Sequence, residues 1–167
     1  MRRIEELHGM TLVTVEEGME LGRINGVELE DSAGIIRYLS FSGAHGRPPG
    51  VVPWEAVRTV GADVVTIVSA NQAMDRVPET EQTRLSRYVG DRPLISESGK
   101  KLGRVTSYDF NEETGQIAQY RAATDGWLGS LGAKEFTFPH AAVRTFGKDA
   151  IIVSDDVAPA EREARAA

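Results

Sequence analysis

A metal site or a proton-transfer site at neutral pH would draw first on histidine, and this chain has three: His8, His45 and His140. None has a second histidine or a carboxylate at metal-ligand spacing on a recognisable element, so they are read as isolated surface or packing residues. Cysteine is absent, which removes disulfides, thiolate metal sites and a cysteine nucleophile together. No serine stands in a G-x-S-x-G elbow, so a Ser-His-Asp triad has no nucleophile to build on. These residues point to no catalytic group, no metal and no cofactor.

Three loops invite closer inspection. The run "DFNEETG" at 109–115 alternates acid and amide like a calcium loop. A hard cation needs about six to eight oxygens from a full loop, however, and this segment is too short. It is expected to be a hairpin turn, with Gly115 left-handed and Asn111 or Thr114 closing it. The run "GWLGSLG" at 126–132 has neither the G-x-G-x-x-G spacing nor the Gly-Lys-Ser/Thr ending of a phosphate loop. Its Trp127, Leu128 and Leu131 either tuck onto a barrel mouth or form an exposed anchor for a partner. The run "SGAHGRPPG" at 42–50 places Arg47 before Pro48 and Pro49. It is either a stiff hairpin loop or a docking surface whose prolines lower the entropy lost on binding. The partner-binding candidates are therefore Trp127, Leu128, Leu131, Arg47, Pro48 and Pro49.

What positions these loops is a repeat. "AVRTVGADVV" at 56–65 returns as "AVRTFGKDAI" at 142–151, 86 positions later. Upstream the spacing is 81: "EEGMELGRI" matches "ESGKKLGRV", and Gly9, Gly34 and Ile36 meet Gly90, Gly115 and Ile117. The second copy thus holds five extra residues between Gly115 and Pro139. Arg23 and Arg58 recur as Arg104 and Arg144, and repetition suggests a role in the fold, such as pairing of Arg58 with Asp63 and Arg144 with Asp149 across a hairpin.

Each copy is a series of short apolar runs punctuated by glycine, which reads as a meander of strands ending in a hairpin over 57–60 and 64–68. Five or six strands in about 65 residues expose two edges and an apolar face unless the sheet closes. The expected fold is mainly β: two small antiparallel β-barrels, an internal duplication, joined by a short helical linker. The first spans 1–77 and the second 90–155. Between them, Pro78, early acids and late arginines predict a helix over 79–88 within a linker at 78–89. The end, 156–167, is polar with little to bury and is expected to be a flexible tail.

Composition narrows the partners. The hydrophobic fraction of 41% and charged fraction of 26% fit a soluble globular protein. Net charge is -6, with 7 basic and 11 acidic side chains up to residue 77 and 12 and 14 after it. Neither half offers a basic face for phosphates, so direct nucleic-acid binding is not expected. No run approaches the roughly 20 apolar residues of a membrane span, and the N-terminus lacks a signal-peptide core, which together predict a cytoplasmic chain.

The order of features, "LGRI" or "LGRV" after a glycine turn, an acidic turn ending in Gly, then "VVPWEAVRTVGADVVTIVS" or "FTFPHAAVRTFGKDAIIVS", resembles the PRC-barrel family twice over. That resemblance implies a barrel that binds other proteins and carries no common reaction. It occurs in the photosynthetic reaction centre H subunit, in a ribosome maturation factor that binds a small-subunit ribosomal protein, and in stand-alone prokaryotic proteins. The chain lacks the first protein's membrane helix and the second's separate N-terminal domain. Its expected function is a non-catalytic cytoplasmic adaptor that binds a protein partner through barrel loops. The alternatives are a ribosome-assembly or RNA-associated factor and a small-ligand-binding protein. The two barrels are expected to associate as a pseudo-dimer within one chain or as a homo-oligomer.

Overall fold

The computed structural model describes residues 1–124 and 134–157. They form two compact units, the first made of Met1–Tyr88 with Phe110–Ile117, the second of Val89–Asp109 with the described part of Ala118–Ala167.

In the first unit the strands are β1 (Arg2–Arg3), β2 (Thr11–Thr14), β3 (Glu20–Glu30), β4 (Ile35–Gly43), β5 (Gly50–Pro53), β6 (Val57–Val60), β7 (Val64–Ile67) and β8 (Ser86–Arg87). The sheet runs β5-β4-β3-β2-β7-β6, with β8 added on β3. All neighbours are antiparallel except β2 and β7, which pair in parallel from Thr11 with Val64 to Thr14 with Ile67. This parallel contact ties the first strand to the last hairpin and curls the sheet into a barrel-like form. Alternation decides which side chains fill it: Leu12, Ile24, Leu29, Ile36, Leu39, Val52, Val65 and Ile67 are at most 1% exposed. Burial of each leucine or isoleucine contributes about 2 kcal/mol.

The second unit repeats the plan with β9 (Arg92–Ser96), β10 (Lys101–Phe110), β11 (Ile117–Ala123), β12 (Glu135–Phe138), β13 (Val143–Phe146) and β14 (Ile151–Val153). Its order is β12-β11-β10-β9-β14-β13, and β14 pairs in parallel with β9 from Ile151 opposite Leu94. The duplicated hairpins match in detail: Val57 faces Ile67 and Val60 faces Val65, as Val143 faces Val153 and Phe146 faces Ile151. Each carries one irregularity, after Val57 and after Val143.

The shared "LGR" has a steric cause. A Cβ on Gly22 would lie 1.5 Å from the Ser42 carbonyl oxygen, and one on Gly103 would lie 2.0 Å from that of Ala123. Only glycine lets β3 and β10 approach the next strand so closely at these points.

The linker departs from expectation. Helix α1 covers only Glu79–Gln82, not 79–88, and Ser86 and Arg87 instead pair with Leu29 and Glu28 as strand β8. Four residues scarcely repay helix nucleation, whereas the uncovered edge of β3 offers backbone bonds. Tyr88 N–H donates to the Val27 carbonyl at 2.8 Å, the Ser86 hydroxyl donates to Asp31, and Arg87 Nη2 donates to Ser40 Oγ at 3.0 Å. The end of the linker is thus paired as a strand where a second helical turn was expected. Among the described residues no helix is long and apolar enough to cross a membrane.

Candidate functional site

In the first unit the end of β3, the start of β4, the turn after β5, α1 and the 111–116 turn enclose a groove of about 520 Å³. The chain places its floor by a Pro-Trp step: Pro53 ends β5, and Trp54 opens the one-turn 3-10 helix Trp54–Ala56. The Trp54 indole meets Phe110 edge-on, with centroids 5.8 Å apart and planes at 88°. Gly115 lies against the same ring, so close that a Cβ there would stand 2.5 Å from Nε1.

That glycine closes the turn expected from "DFNEETG". Gly115 has φ +76°, and Asn111 Oδ1 accepts the N–H groups of Glu113 and Thr114 at 2.8 and 3.2 Å. Thr114 Oγ1 accepts Gln116 N–H at 3.2 Å. The turn docks on β4, where Ile36 N–H donates to the Gly115 carbonyl at 2.9 Å and Ile117 N–H to that of Gly34 at 2.7 Å. Asn111 is thus spent on the backbone, as a turn requires.

Charges line the wall. Arg37 Nε donates to Glu30 Oε2 at 2.6 Å, Arg84 Nη1 stands 3.9 Å from Glu30 Oε1, and Arg84 Nη2 stands 3.6 Å from Glu81 Oε1. The Tyr38 hydroxyl donates to Glu81 Oε2. Burial chiefly, then this bond and the charges of Glu81 and Glu55, push the Tyr38 hydroxyl up to about 12. At neutral pH it is a fixed hydrogen-bond donor and not a base. Glu55 and Glu113 complete the lining, both exposed.

The second unit puts His140 where the first has Trp54, again opening a 3-10 turn after a proline, His140–Ala142. Its Nδ1 lies 2.8 Å from the Tyr120 hydroxyl, and its ring stacks on Phe146 at 5.5 Å. Tyr120 also packs against Tyr108 at 4.6 Å and Phe138 at 5.3 Å. His140 therefore belongs to an aromatic cluster. Nearby, Asp109, 3% exposed, accepts from Gln119 Nε2 at 2.6 Å and Arg121 Nε at 2.9 Å. Beside β12 a second groove of about 420 Å³ is lined by Phe136, Phe138, Pro139, Arg144, Ser154 and Val157, among others.

Of the binding candidates read from the sequence, Trp127, Leu128 and Leu131 lie outside the described residues. Arg47 is half-buried, and its Nη1 donates to the Glu20 carbonyl at 2.9 Å, which pins the loop to β3. Pro48 and Pro49 are exposed beside it. None of these three lines the groove at Trp54. His45 is exposed, its Nε2 3.2 Å from Glu20 Oε2, and His8 is exposed at the end of the first 3-10 turn. Among the described residues no group of three or more histidine or acidic side chains is placed to hold a metal ion.

The repeated arginines do not pair as expected. Arg144 Nε meets Glu97 Oε1 at 3.2 Å and its Nη1 donates to the Ala141 carbonyl at 3.3 Å, away from Asp149, while Arg104 Nε meets Asp91 Oδ1 at 2.7 Å. Residue-by-residue reading missed Tyr38, Glu30, Glu55, Glu81 and Arg84. The one signal for the site was Trp54 standing after a proline where the other copy has a histidine.

Comparison with protein families finds a match to the PRC-barrel domain over residues 1–72 and again over 85–158. No curated protein is significantly similar to the chain. The two matches take in most of the sequence and coincide with the two copies of one strand plan, so the chain belongs to the PRC-barrel family as a tandem pair of its domains.

Proposed function

We propose that this protein is a non-catalytic cytoplasmic adaptor that binds a protein partner, with the groove at Trp54 as its principal binding surface. The observation that carries this reading is the groove's chemistry. It combines an aromatic floor, a tyrosine held as a neutral donor and two carboxylates, Glu30 and Glu81, already tied to arginines, a set suited to fixing the orientation of a bound chain and not to moving a proton. The exposed Pro48 and Pro49, on a loop anchored by Arg47, offer a second rigid contact at low entropic cost. The test is affinity capture from native lysate with wild type and with Thr114→Trp, which fills the groove from its exposed wall, after circular dichroism shows both to be folded. A partner held by wild type and lost from the variant supports the reading. Equal capture by both overturns it.

A further inference from the structure

The stretch 75–88 ends along the edge of β3, yet its residues are half-buried at most. Just before it, Met74 is clamped to Val51, each N–H donating to the other's carbonyl at 2.8 Å. Beyond that clamp the regular structure is slight: α1 has four residues and no side-chain cap, and β8 has two. Beneath, a cavity of about 250 Å³ lies among Glu28, Val77, Gln82 and Leu85. The strand below is the opposite case, for Val27 and Leu29 are buried in the core. A segment with few buried apolar contacts, lying on a packed sheet, opens at a lower free energy than the sheet itself.

Arg87 fits a socket in that sheet. Its Nη2 donates to Ser40 Oγ at 3.0 Å and to the Asn25 carbonyl at 3.3 Å, and its Nε stands 4.0 Å from Glu28 Oε1. The space for the guanidinium exists because residue 26 is glycine: a Cβ there would stand 2.0 Å from Nη2. Burial pushes the Glu28 carboxyl up against the pull of Arg87, so this arginine offsets the cost of a carboxylate lying under the segment. Two other residues of the segment, Glu81 and Arg84, belong to the wall of the Trp54 groove, where Glu81 accepts the Tyr38 hydroxyl and Arg84 faces Glu30. Arg87 does not line that groove.

We infer that residues 75–88 are a detachable strap, hinged after Met74 and latched by Arg87 in the Gly26 socket, whose opening takes Glu81 and Arg84 out of the groove wall while the sheet stays folded. Arg87 is a positioning residue: it acts on the groove through the segment that carries Glu81. By linkage, an occupant that touches Glu81 or Arg84 favours the closed strap. The inference goes beyond the binding role proposed above and does not depend on it, because closure is read on the protein alone.

The test is amide hydrogen exchange followed by NMR on the full chain, for wild type, Arg87→Ala and Gly26→Ala, together with a phenolate titration of each. The second variant keeps the arginine and fills its socket, and the atoms nearest its Cβ are side-chain ends of Arg87 and Ser40. The Tyr88 N–H, which donates to the Val27 carbonyl, reports on the strap, and the Ile24 N–H, which donates to the Met10 carbonyl, reports on the sheet. In wild type the Tyr88 amide is expected to exchange well before that of Ile24. Both variants should speed Tyr88 about tenfold, leave Ile24 unchanged, and bring the late tyrosine down from about 12 towards its ordinary 10.0. If Tyr88 exchanges only as fast as Ile24 in wild type, the segment opens with the sheet and the inference fails. Equal acceleration of both amides marks a general loss of stability and overturns it as well. Faster Tyr88 exchange with an unmoved tyrosine titration refutes the link to the groove, and either variant behaving as wild type refutes the latch. None of these results decides whether the groove binds a partner, which the capture experiment tests.

Discussion

Gly115 lies against the indole of Trp54, where a single added carbon would stand 2.5 Å from Nε1. The glycine is also held at φ +76°, so two independent constraints meet at one residue. Gly115→Ala is therefore expected to cost ~1–3 kcal/mol, from the left-handed backbone and from displacement of a rigid ring. Chemical denaturation gives the cost, and a red shift of tryptophan emission shows whether Trp54 has moved towards water.

Gly22 and Gly103 should be less forgiving, because the obstacle there is backbone. With carbonyl oxygens 1.5 and 2.0 Å from the added Cβ, relief requires that two strands separate. Either alanine substitution is expected to cost about 3 kcal/mol or more, seen as a lower denaturation midpoint or as loss of folded protein on expression.

The copies show what a single sequence discloses and what it conceals. Strands, turns and the closing hairpin were legible because barrel positions repeat: Gly22 and Gly103, Val57 and Val143, Gly61 and Gly147 answer to the same backbone requirements. The groove was not, because the residues that give it its chemistry fail to repeat, Tyr38 against Gln119, Trp54 against His140 and Glu55 against Ala141 at the same spacings. They also come from positions as distant as 30, 54, 81 and 113, which no local pattern joins. Strand β8 was hidden for a related reason: its residues fit a helix by local preference, and only the open edge of β3 redirects them.

Alkaline pH should act through Tyr38. Its folded value near 12 lies above the ordinary value of 10.0, so the folded state holds the proton more tightly. The stability linked to it is complete below about pH 10 and is lost as pH rises towards 12. A spectrophotometric titration of phenolate is expected to show a late-titrating tyrosine that Tyr38→Phe removes, and the variant's stability should fall less steeply over that window. The lost bond to Glu81 should itself cost about 1 kcal/mol at neutral pH.

Acid pH should act through a contact built twice with its partners exchanged. Glu17 Oε1 accepts from Ala70 N–H at 2.8 Å and Ser69 Oγ at 2.9 Å, whereas in the second copy Asp155 Oδ1 accepts from Ser98 N–H at 3.0 Å. At the repeat spacings Glu17 matches Ser98 and Ser69 matches Asp155. The backbone bond from Ala70, then Ser69, lowers Glu17, and bonds from Ser98 lower Asp155. Such groups support the fold above the ordinary carboxylate range and lose that support as pH falls through their lowered values. Glu17→Gln with Asp155→Asn should flatten the loss of stability below about pH 4, measured by denaturation across the acid limb.

The most direct test of the binding role is site-specific photocrosslinking from the groove wall. A photoreactive amino acid replaces Thr114 in one sample and exposed Asp75, outside the groove, in another. Each protein is irradiated in native lysate and its adducts are identified by mass spectrometry. The expected result is one dominant protein adduct from position 114, absent from position 75. No adduct at 114, or the same adducts from both positions, would contradict the assignment of this groove as the protein's binding surface.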